Sequence, residues 1–354
     1  MSDCALTWKK GAHRAGLLAG LASGLSLAAG AMSGEVPPTM VSPGALSARF
    51  RAPEGMRFEY LRAADARRLR YAHWTTTAPP RAIVVLVTGF SEPIEKYYET
   101  LRVLHDAGAE LWALDWRGQG GSDRLLSGPA SMRGYSEGFD ANVGDLARLI
   151  ETIVKPVAGS RLVLVSHSMG GVIALRYLEE HPGVMAGAIF SAPALAVGAE
   201  GGWSRAVEHA FVWAGAHLGF ASAYLTSQRD WREATDVADG LSHDAERGSL
   251  QKHWFASNPT LRVGGVTFGW MAALYAAADV ALEPARLARV TTPVLFGIPL
   301  ADPVTQPGAS LAACAHLPSC RLWRAEGAWH ELFVEADRWR TPWMATVVDF
   351  IAHP

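Results

Sequence analysis

The chain alternates short, continuous apolar runs with longer segments in which apolar residues recur every three or four positions. The short runs lie at residues 82–89, 110–116, 161–166, 186–193, 293–299 and 320–327. Runs that are apolar throughout are typical of parallel strands covered on both faces. The amphipathic segments between them indicate helices. The pattern therefore predicts an α/β fold, with a mostly parallel central sheet flanked by helices.

Two helices can be located from their spacing. Val143, Leu146, Ile150 and Ile153 share one face, and the segment from residue 169 to 180 repeats its apolar residues at helical intervals. Residues 195–285 break the alternation, because they are rich in Trp, Phe and Tyr and contain no obvious strand. We interpret them as a helical cap over the carboxyl ends of the strands, where open α/β sheets bind ligands. Alternatively, most of these aromatic side chains form the cap's own core.

The amino-terminal segment has the order of a secretory signal. Lys9, Lys10 and Arg14 precede an uncharged run from Ala15 to Ala31, which ends in small residues. Cleavage at about this point is one reading. Retention as a membrane anchor is another, although 17 residues are marginal for a bilayer of about 30 Å, and a buried helix is the third. We expect an exported protein, either periplasmic or anchored in the inner membrane of a bacterium.

The domain organisation follows from these segments. Residues 1–31 form the export segment or anchor, and residues 32–54, with their Pro and Gly, form a linker. The folded core comprises residues 55–194 and 286–354, and the cap comprises residues 195–285.

Composition narrows the possible partners. Of the 354 residues, 49% are hydrophobic, which is ample for a large core, and the 32 basic and 34 acidic residues form no long run of one sign. A nucleic-acid partner is therefore not expected. Cys314 and Cys320 are close enough for a local disulfide in an oxidising compartment, but two unpaired thiols fit the sequence nearly as well. Their spacing does not indicate a metal site.

Ser168 lies between an apolar run and a helix, in the segment Ser166-His167-Ser168-Met169-Gly170-Gly171. A serine there could be a helix cap. However, small residues two positions before and two after it are typical of the sharp turn that exposes a nucleophile. Ser166 takes the place of the usual first glycine and is larger by one hydroxymethyl group. We predict that Ser168 is a nucleophile.

A serine nucleophile needs a base and an acid that orients the base. In enzymes with this turn, the acid and then the histidine follow the serine along the chain. Asp302 and His330 each follow a predicted strand and are the predicted acid and base. Asp279 and Glu283 are rival acids, but they precede the run at 293–299. The other candidate histidines lie beside the nucleophile or in helical and cap segments: His167, His181, His243, His253 and His316.

The oxyanion formed when a serine attacks a carbonyl must be met by preorganised N–H donors. Met169, directly after the nucleophile, offers one backbone N–H. The loop Thr88-Gly89-Phe90 offers the other, which we assign to Phe90. Thr88 stands where many such enzymes have histidine, but the main-chain donor does not depend on that side chain.

Several segments together resemble the α/β-hydrolase superfamily, and more narrowly its bacterial lysophospholipase and monoacylglycerol lipase group, the serine aminopeptidase S33-like hydrolases. The segments are "GFSEPIEKYYE" (89–99), "DWRGQGGSDR" (115–124), "HSMGG" (167–171), "NPTLRVGGVTFGWMAAL" (258–274) and "HELFVEADRWR" (330–340). They span roughly residues 55–352.

The resemblance implies an α/β-hydrolase fold and hydrolysis of a carboxylic ester through an acyl-enzyme, with neither metal nor organic cofactor. Lysophospholipids are the first expected substrates, with possible contact to a membrane surface. A monoacylglycerol lipase or general carboxylesterase is the close alternative. A peptidase of the proline-iminopeptidase type and a catalytically silent binding protein are more distant ones.

Overall fold

A computed structural model describes residues 46–157, 159–198, 205–233 and 240–354. The predicted export segment or anchor (1–31), most of the predicted linker and two short parts of the predicted cap lie outside the described residues. Among the described helices, none combines the length and apolarity needed to cross a bilayer.

One eight-stranded sheet forms the centre of the molecule. Its strands are β1 (Arg57–Arg62), β2 (Arg68–Trp74), β3 (Ala82–Val87), β4 (Ala109–Leu114), β5 (Leu162–His167), β6 (Gly187–Ser191), β7 (Val294–Pro299) and β8 (Cys320–Ala325). Their order is β1-β2-β4-β3-β5-β6-β7-β8. β2 pairs antiparallel with both β1 and β4, and all other pairs are parallel. The predicted α/β fold is confirmed.

Helices connect the strands and cover the sheet. They are α1 (Tyr98–Asp106), α2 (Asp140–Arg148), α3 (Met169–Glu180), α4 (Arg205–Gly215), α5 (Ala245–Gly248), α6 (Leu250–Ser257), α7 (Phe268–Ala281), α8 (Pro284–Leu287), α9 (Pro307–His316) and α10 (Asp337–Ala352). Short 3₁₀ turns lie at Ala48–Phe50, Ile94–Tyr97, Gly128–Ala130 and Pro259–Leu261, and π-helical turns at Leu149–Val154 and Ala216–Phe220. The π-helical turn at Leu149–Val154 continues α2, and this accounts for the apolar spacing that extends to Ile153.

The central strands are buried on both faces. Every residue of β5 and of β7 is buried, and large apolar clusters cover the two sides of the sheet. This is why these strands appear in the sequence as continuous apolar runs. β1 differs, because four of its six residues are exposed at the edge of the sheet.

The described part of the cap region is mostly helical. α7 packs against α3 of the core and against α4. The aromatic residues of this region differ in burial: Phe255 and Trp270 are buried, whereas Trp213 and Phe220 are exposed. The exposed Trp213 and Phe220 do not fit the alternative that most of these aromatic side chains form the cap's own core.

A disulfide joins Cys314, in α9, to Cys320, the first residue of β8, with their Cα atoms 5.5 Å apart. Of the two alternatives left open by the sequence, the structure contains the disulfide. It lies at the amino end of β8, whereas His330 follows the carboxyl end of that strand.

Candidate active site

Ser168 occupies a sharp turn between β5 and α3. Its backbone angles are φ 49° and ψ −119°, a sparsely populated conformation for any residue other than glycine. The turn is held by three backbone hydrogen bonds: Ser168 N donates to Ser191 O at 3.0 Å, and Ser168 O accepts from Gly171 N at 2.9 Å and from Ala194 N at 3.0 Å. Such strain persists where the surroundings enforce it, and here it sets the serine apart from an ordinary helix cap.

The glycines after Ser168 allow α3 to start close to the neighbouring strand ends. A Cβ on Gly170 would lie 2.5 Å from the Thr88 carbonyl oxygen, and one on Gly171 would lie 2.6 Å from Pro193 Cβ. Ser166, which replaces the usual first glycine, fits because its hydroxyl donates to the Ile189 carbonyl at 2.9 Å. The extra group is thus both accommodated and hydrogen-bonded.

The two predicted oxyanion donors are available. Met169 is the first residue of α3, so its N–H has no partner inside the helix. In the loop after β3, Gly89 N donates to Glu92 Oε2 at 2.6 Å and Ser91 N donates to the Gln119 side chain. Among the described residues, the intervening N–H of Phe90 has no acceptor. Phe90 lines the same cavity as Ser168.

Asp302 and His330 are brought together although 28 positions separate them. His330 Nδ1 donates to Asp302 Oδ2 at 2.8 Å. Asp302 also accepts from Thr305 Oγ1 at 2.6 Å, Thr305 N at 3.0 Å and Val304 N at 2.7 Å. These contacts fix the carboxylate and, through it, the imidazole ring. The ring nitrogen left for proton transfer is Nε2.

The charges of this pair support each other. Burial opposes ionisation of Asp302, but His330 and the hydrogen bonds from Thr305 lower the pKa of Asp302 below its usual value. Burial likewise opposes a charge on His330, but the Asp302 carboxylate, followed by Glu331 and Glu92, raises the pKa of His330. The pair is therefore suited to stabilise an imidazolium while the ring holds a proton.

The rival acids lie on the surface. The Asp279 side chain is 51% exposed and pairs with Arg205, and the Glu283 side chain is 57% exposed and pairs with Arg286. Neither pairs with His330 among the described residues.

Ser168 and His330 open into one cavity of about 440 Å³. Within the described residues no hydrogen bond joins the Ser168 hydroxyl to His330, and such bonds often tighten only when substrate binds. The apolar lining comprises Phe90, Trp231, Leu241, Val263 and Val304. The polar lining includes Gln228, Arg229, Gln251 and Lys252. Most of these residues come from the cap, which therefore covers the predicted site.

A buried cluster of charged residues beside the site was not anticipated from the sequence. Lys96 Nζ donates to Glu92 Oε1 at 2.5 Å and to Glu331 Oε1 at 2.7 Å. His167 Nε2 lies 3.4 Å from Glu331 Oε2, and the His167 and His330 rings are 4.7 Å apart. All four cluster side chains, those of Glu92, Lys96, His167 and Glu331, are at most 5% exposed.

The same cluster is the one group in the described chain whose donor atoms could surround a metal ion: Glu92, His167 and Glu331 lie within 4.8 Å of one another. The Lys96 ammonium already bridges the two carboxylates and supplies positive charge there. The residues therefore fit an internal ion-pair cluster better than a metal centre. The sequence signal was Glu92 and Lys96 four positions apart in a turn, and an acid directly after the predicted base.

Comparisons with known proteins agree with this architecture. Residues 78–337 match the family described as serine aminopeptidase, S33. The chain is 30% identical over 277 residues to lysophospholipase L2 of Escherichia coli (strain K12), covering 76% of this chain and 79% of that protein. It is 32% identical over 128 residues to a monoacylglycerol lipase of Mycolicibacterium smegmatis, covering 36% and 43% of the two chains.

A solved structure shares the fold. The crystal structure of Paleococcus ferrophilus monoacylglycerol lipase superposes with a TM-score of 0.62 at 22% identity, covering 80% of this chain and 98% of that one.

Proposed function

The chain belongs to the serine aminopeptidase S33 family of α/β-hydrolases, and on this basis we propose that it is a serine hydrolase that cleaves the carboxylic ester of lysophospholipids. The observation that carries the proposal is the convergence of the strained Ser168 turn and the Asp302–His330 pair on one cap-covered cavity. The 30% identity to a lysophospholipase supports the choice of substrate class.

The geometry supports a two-step acyl transfer. Ser168 Oγ attacks the ester carbonyl while His330 Nε2 takes the hydroxyl proton, and the N–H groups of Phe90 and Met169 bind the oxyanion. His330 then returns the proton to the leaving alcohol, and an acyl-enzyme remains on Ser168. Water, activated by the same ring, releases the fatty acid. Asp302 holds the imidazole in the required tautomer and stabilises its positive charge.

The lining of the cavity favours a lysophospholipid over a neutral monoacylglycerol. Two cationic side chains, Arg229 and Lys252, line the cavity that contains Ser168. A phosphate group is well matched to such donors, whereas glycerol carries no charge. The apolar lining suits an acyl chain, because each buried methylene contributes about 0.8 kcal/mol.

Fatty-acid release from lysophosphatidylcholine, lysophosphatidylethanolamine and monoacylglycerol of equal chain length tests this assignment. We expect release from the lysophospholipids, and loss of it in Ser168→Ala. Lys252→Met should lower kcat/KM for the lysophospholipids more than for monoacylglycerol. Release from monoacylglycerol alone would keep the mechanism and refute the substrate.

The peptidase alternative has less support from the site. An aminopeptidase needs a carboxylate to bind the free amine of its substrate. The acidic side chains among the described residues that line the cavity, Glu92 and Glu331, both pair with Lys96. Hydrolysis of aminoacyl amides by the purified protein would contradict this reasoning.

We also propose that the protein is exported to the periplasm or held at the inner membrane. The support is the basic and apolar pattern of residues 1–31, together with the Cys314–Cys320 disulfide, since disulfides persist in oxidising compartments. Cell fractionation of the full chain and of a chain lacking residues 1–31 tests this. Recovery of both in the cytosol would refute it.

Contact with a lipid surface is a further part of the proposed function. Trp213, Leu218 and Phe220, at and just after the end of α4, are 60%, 73% and 58% exposed. Exposed aromatic and aliphatic side chains of this kind partition into the membrane interface. Binding to phospholipid vesicles should weaken in Trp213→Gln and Leu218→Gln, and unchanged binding would refute the contact.

A further inference from the structure

The buried cluster joins the two loops on which the proposed reaction depends. Glu92 belongs to the loop that carries the Phe90 N–H, and Glu331 directly follows His330. Lys96 bridges them across a separation of 235 residues. We propose that Lys96 is a positioning residue, which ties the oxyanion loop to the loop of the base and partly compensates the charge of the two carboxylates beside His330. This inference rests on the catalytic roles proposed above.

On the oxyanion side, Glu92 fixes the loop from within. Its Oε2 accepts from Gly89 N at 2.6 Å and from the Tyr97 hydroxyl at 2.5 Å, while its Oε1 accepts from Lys96 Nζ at 2.5 Å. Gly89 directly precedes Phe90, so the same carboxylate that meets Lys96 also orients the peptide next to the oxyanion donor. A shift of Glu92 therefore moves the Phe90 N–H.

In the loop that carries His330, both the backbone and the side chain of Glu331 are hydrogen-bonded. Its N–H donates to the Leu241 carbonyl of the cap at 3.1 Å, and its side chain accepts from Lys96 at 2.7 Å. Because His330 is the adjacent residue, these contacts set the path of the backbone that presents the imidazole. Lys96 is thus in contact with both loops at hydrogen-bond distance, and this one side chain links them.

The cluster also controls the charge around His330. The ring is faced by the carboxylate of Asp302, the carboxylates of Glu331 and Glu92, and the ring of His167, whose Nδ1 lies 3.2 Å from the Ser191 carbonyl. Lys96 compensates part of this negative charge. Buried charges are weakly screened, so removing the ammonium or one carboxylate changes the potential at His330 strongly.

Opposite changes of charge should therefore shift the pH dependence in opposite directions. The carboxylates raise the pKa of His330, and the base must be neutral to accept the Ser168 proton. Lys96→Met removes the positive charge beside the carboxylates, so the pKa of His330 rises further. The acidic limb of the pH–rate profile, where kcat/KM falls because His330 is protonated, then moves to higher pH. Glu331→Gln keeps the size and the hydrogen-bond acceptor, removes one negative charge, and moves the limb to lower pH. We expect shifts on the order of one pH unit.

The experiment uses the full chain and p-nitrophenyl butyrate, a small ester that makes no head-group contacts. We expect Lys96→Met to lower kcat at least tenfold with little change in KM, because it displaces the oxyanion loop relative to the base. The double variant Lys96→Met/Glu331→Gln should return the acidic limb towards that of the wild type. Arg117→Met is the control, because it breaks a similarly buried pair with Asp145 that makes no contact with either loop.

The outcomes separate this inference from the proposed function. Labelling of the wild type by a fluorophosphonate, lost in Ser168→Ala, establishes the nucleophile independently. With that label present, wild-type kcat and an unmoved acidic limb in Lys96→Met and Glu331→Gln would overturn the role of Lys96 alone. Equal losses in the control would overturn it as well. If Lys96→Met does not fold, the isosteric Glu331→Gln decides. An unlabelled, inactive wild type would overturn both proposals.

Discussion

Replacing Asp302 by asparagine tests the predicted acid while keeping the size of the side chain. The Asp302 carboxylate accepts four hydrogen bonds, two on each oxygen. An asparagine side chain has one accepting oxygen and one donating nitrogen. If its nitrogen takes the place of Oδ2, it faces the donors on Thr305 and His330. If it takes the place of Oδ1, it faces the backbone N–H groups of Val304 and Thr305.

The effect on activity is largest when the asparagine nitrogen takes the place of Oδ2 and faces His330. With a donor opposite Nδ1, His330 moves its proton to Nε2 and can no longer accept the proton of Ser168. The corresponding change in serine proteases lowers kcat about 10⁴-fold, which is about 5 kcal/mol of barrier. Stability should fall by less, about 1–3 kcal/mol, because buried donors lose their acceptor.

The assay is hydrolysis of p-nitrophenyl butyrate, with thermal unfolding measured in parallel. Asp279→Asn is the matched control, since that carboxylate is half exposed and pairs with Arg205 on the surface. We expect the control to keep both activity and melting temperature. Activity of Asp302→Asn within tenfold of the wild type would refute the assignment of the acid. A comparable loss in Asp279→Asn would reopen the choice between the two.

Three further predictions concern pH, packing and the disulfide. Because the pKa of His330 is raised above the ordinary histidine value of 6.5, the base becomes protonated, and kcat/KM falls, at a pH above 6.5. A pH–rate profile in which kcat/KM falls only below pH 6.5 would contradict this. Gly170→Ala should lower the free energy of unfolding by about 1–3 kcal/mol, since its Cβ would meet backbone at 2.5 Å. Gly144→Ala, on an open face of α2, should instead raise the free energy of unfolding by about 0.5–1 kcal/mol in denaturant titrations. If both substitutions changed the free energy of unfolding in the same direction, the packing argument would be refuted. Reducing the Cys314–Cys320 disulfide should lower the free energy of unfolding by about 2 kcal/mol, because the loop that it closes is short. Activity should be kept, because the disulfide lies at the other end of β8 from His330. Mass analysis shows whether the bond is present, and an inactive reduced enzyme would contradict the prediction.

The strands predicted from apolar runs all occur in the structure, with ends within two residues of those expected. β1 and β2 were not predicted. Both alternate apolar with charged residues, and β1 lies at the exposed edge of the sheet. The turn between them contains no Asn-Gly or Asp-Gly pair, the usual signal of a tight hairpin. β1, which is exposed along most of its length, therefore leaves no continuous apolar run.

The site residues could be predicted because their positions relative to strand ends are constrained. Ser168 follows β5, and Asp302 and His330 follow β7 and β8, so all three reach the same edge of a parallel sheet. The Lys96 bridge could not be predicted in this way. Charged residues usually lie on the surface, and although Glu92 and Lys96 are four positions apart, that spacing does not indicate the contact of Lys96 with Glu331 across 235 positions.

The position of this cluster also gives a reason for the presence of such a costly arrangement. Burying two carboxylates and an ammonium is often no more stabilising than an apolar replacement of the same volume. Here the charges lie between the two loops that the proposed reaction needs at a fixed distance, and they border the ring that would change its protonation state during each turnover. An apolar contact would fill the same space, but it would neither fix the direction of the Gly89–Phe90 peptide nor balance the potential at His330. If Ser168 and His330 act as proposed, the burial of charge at this place is better explained by the demands of the reaction than by the stability of the fold.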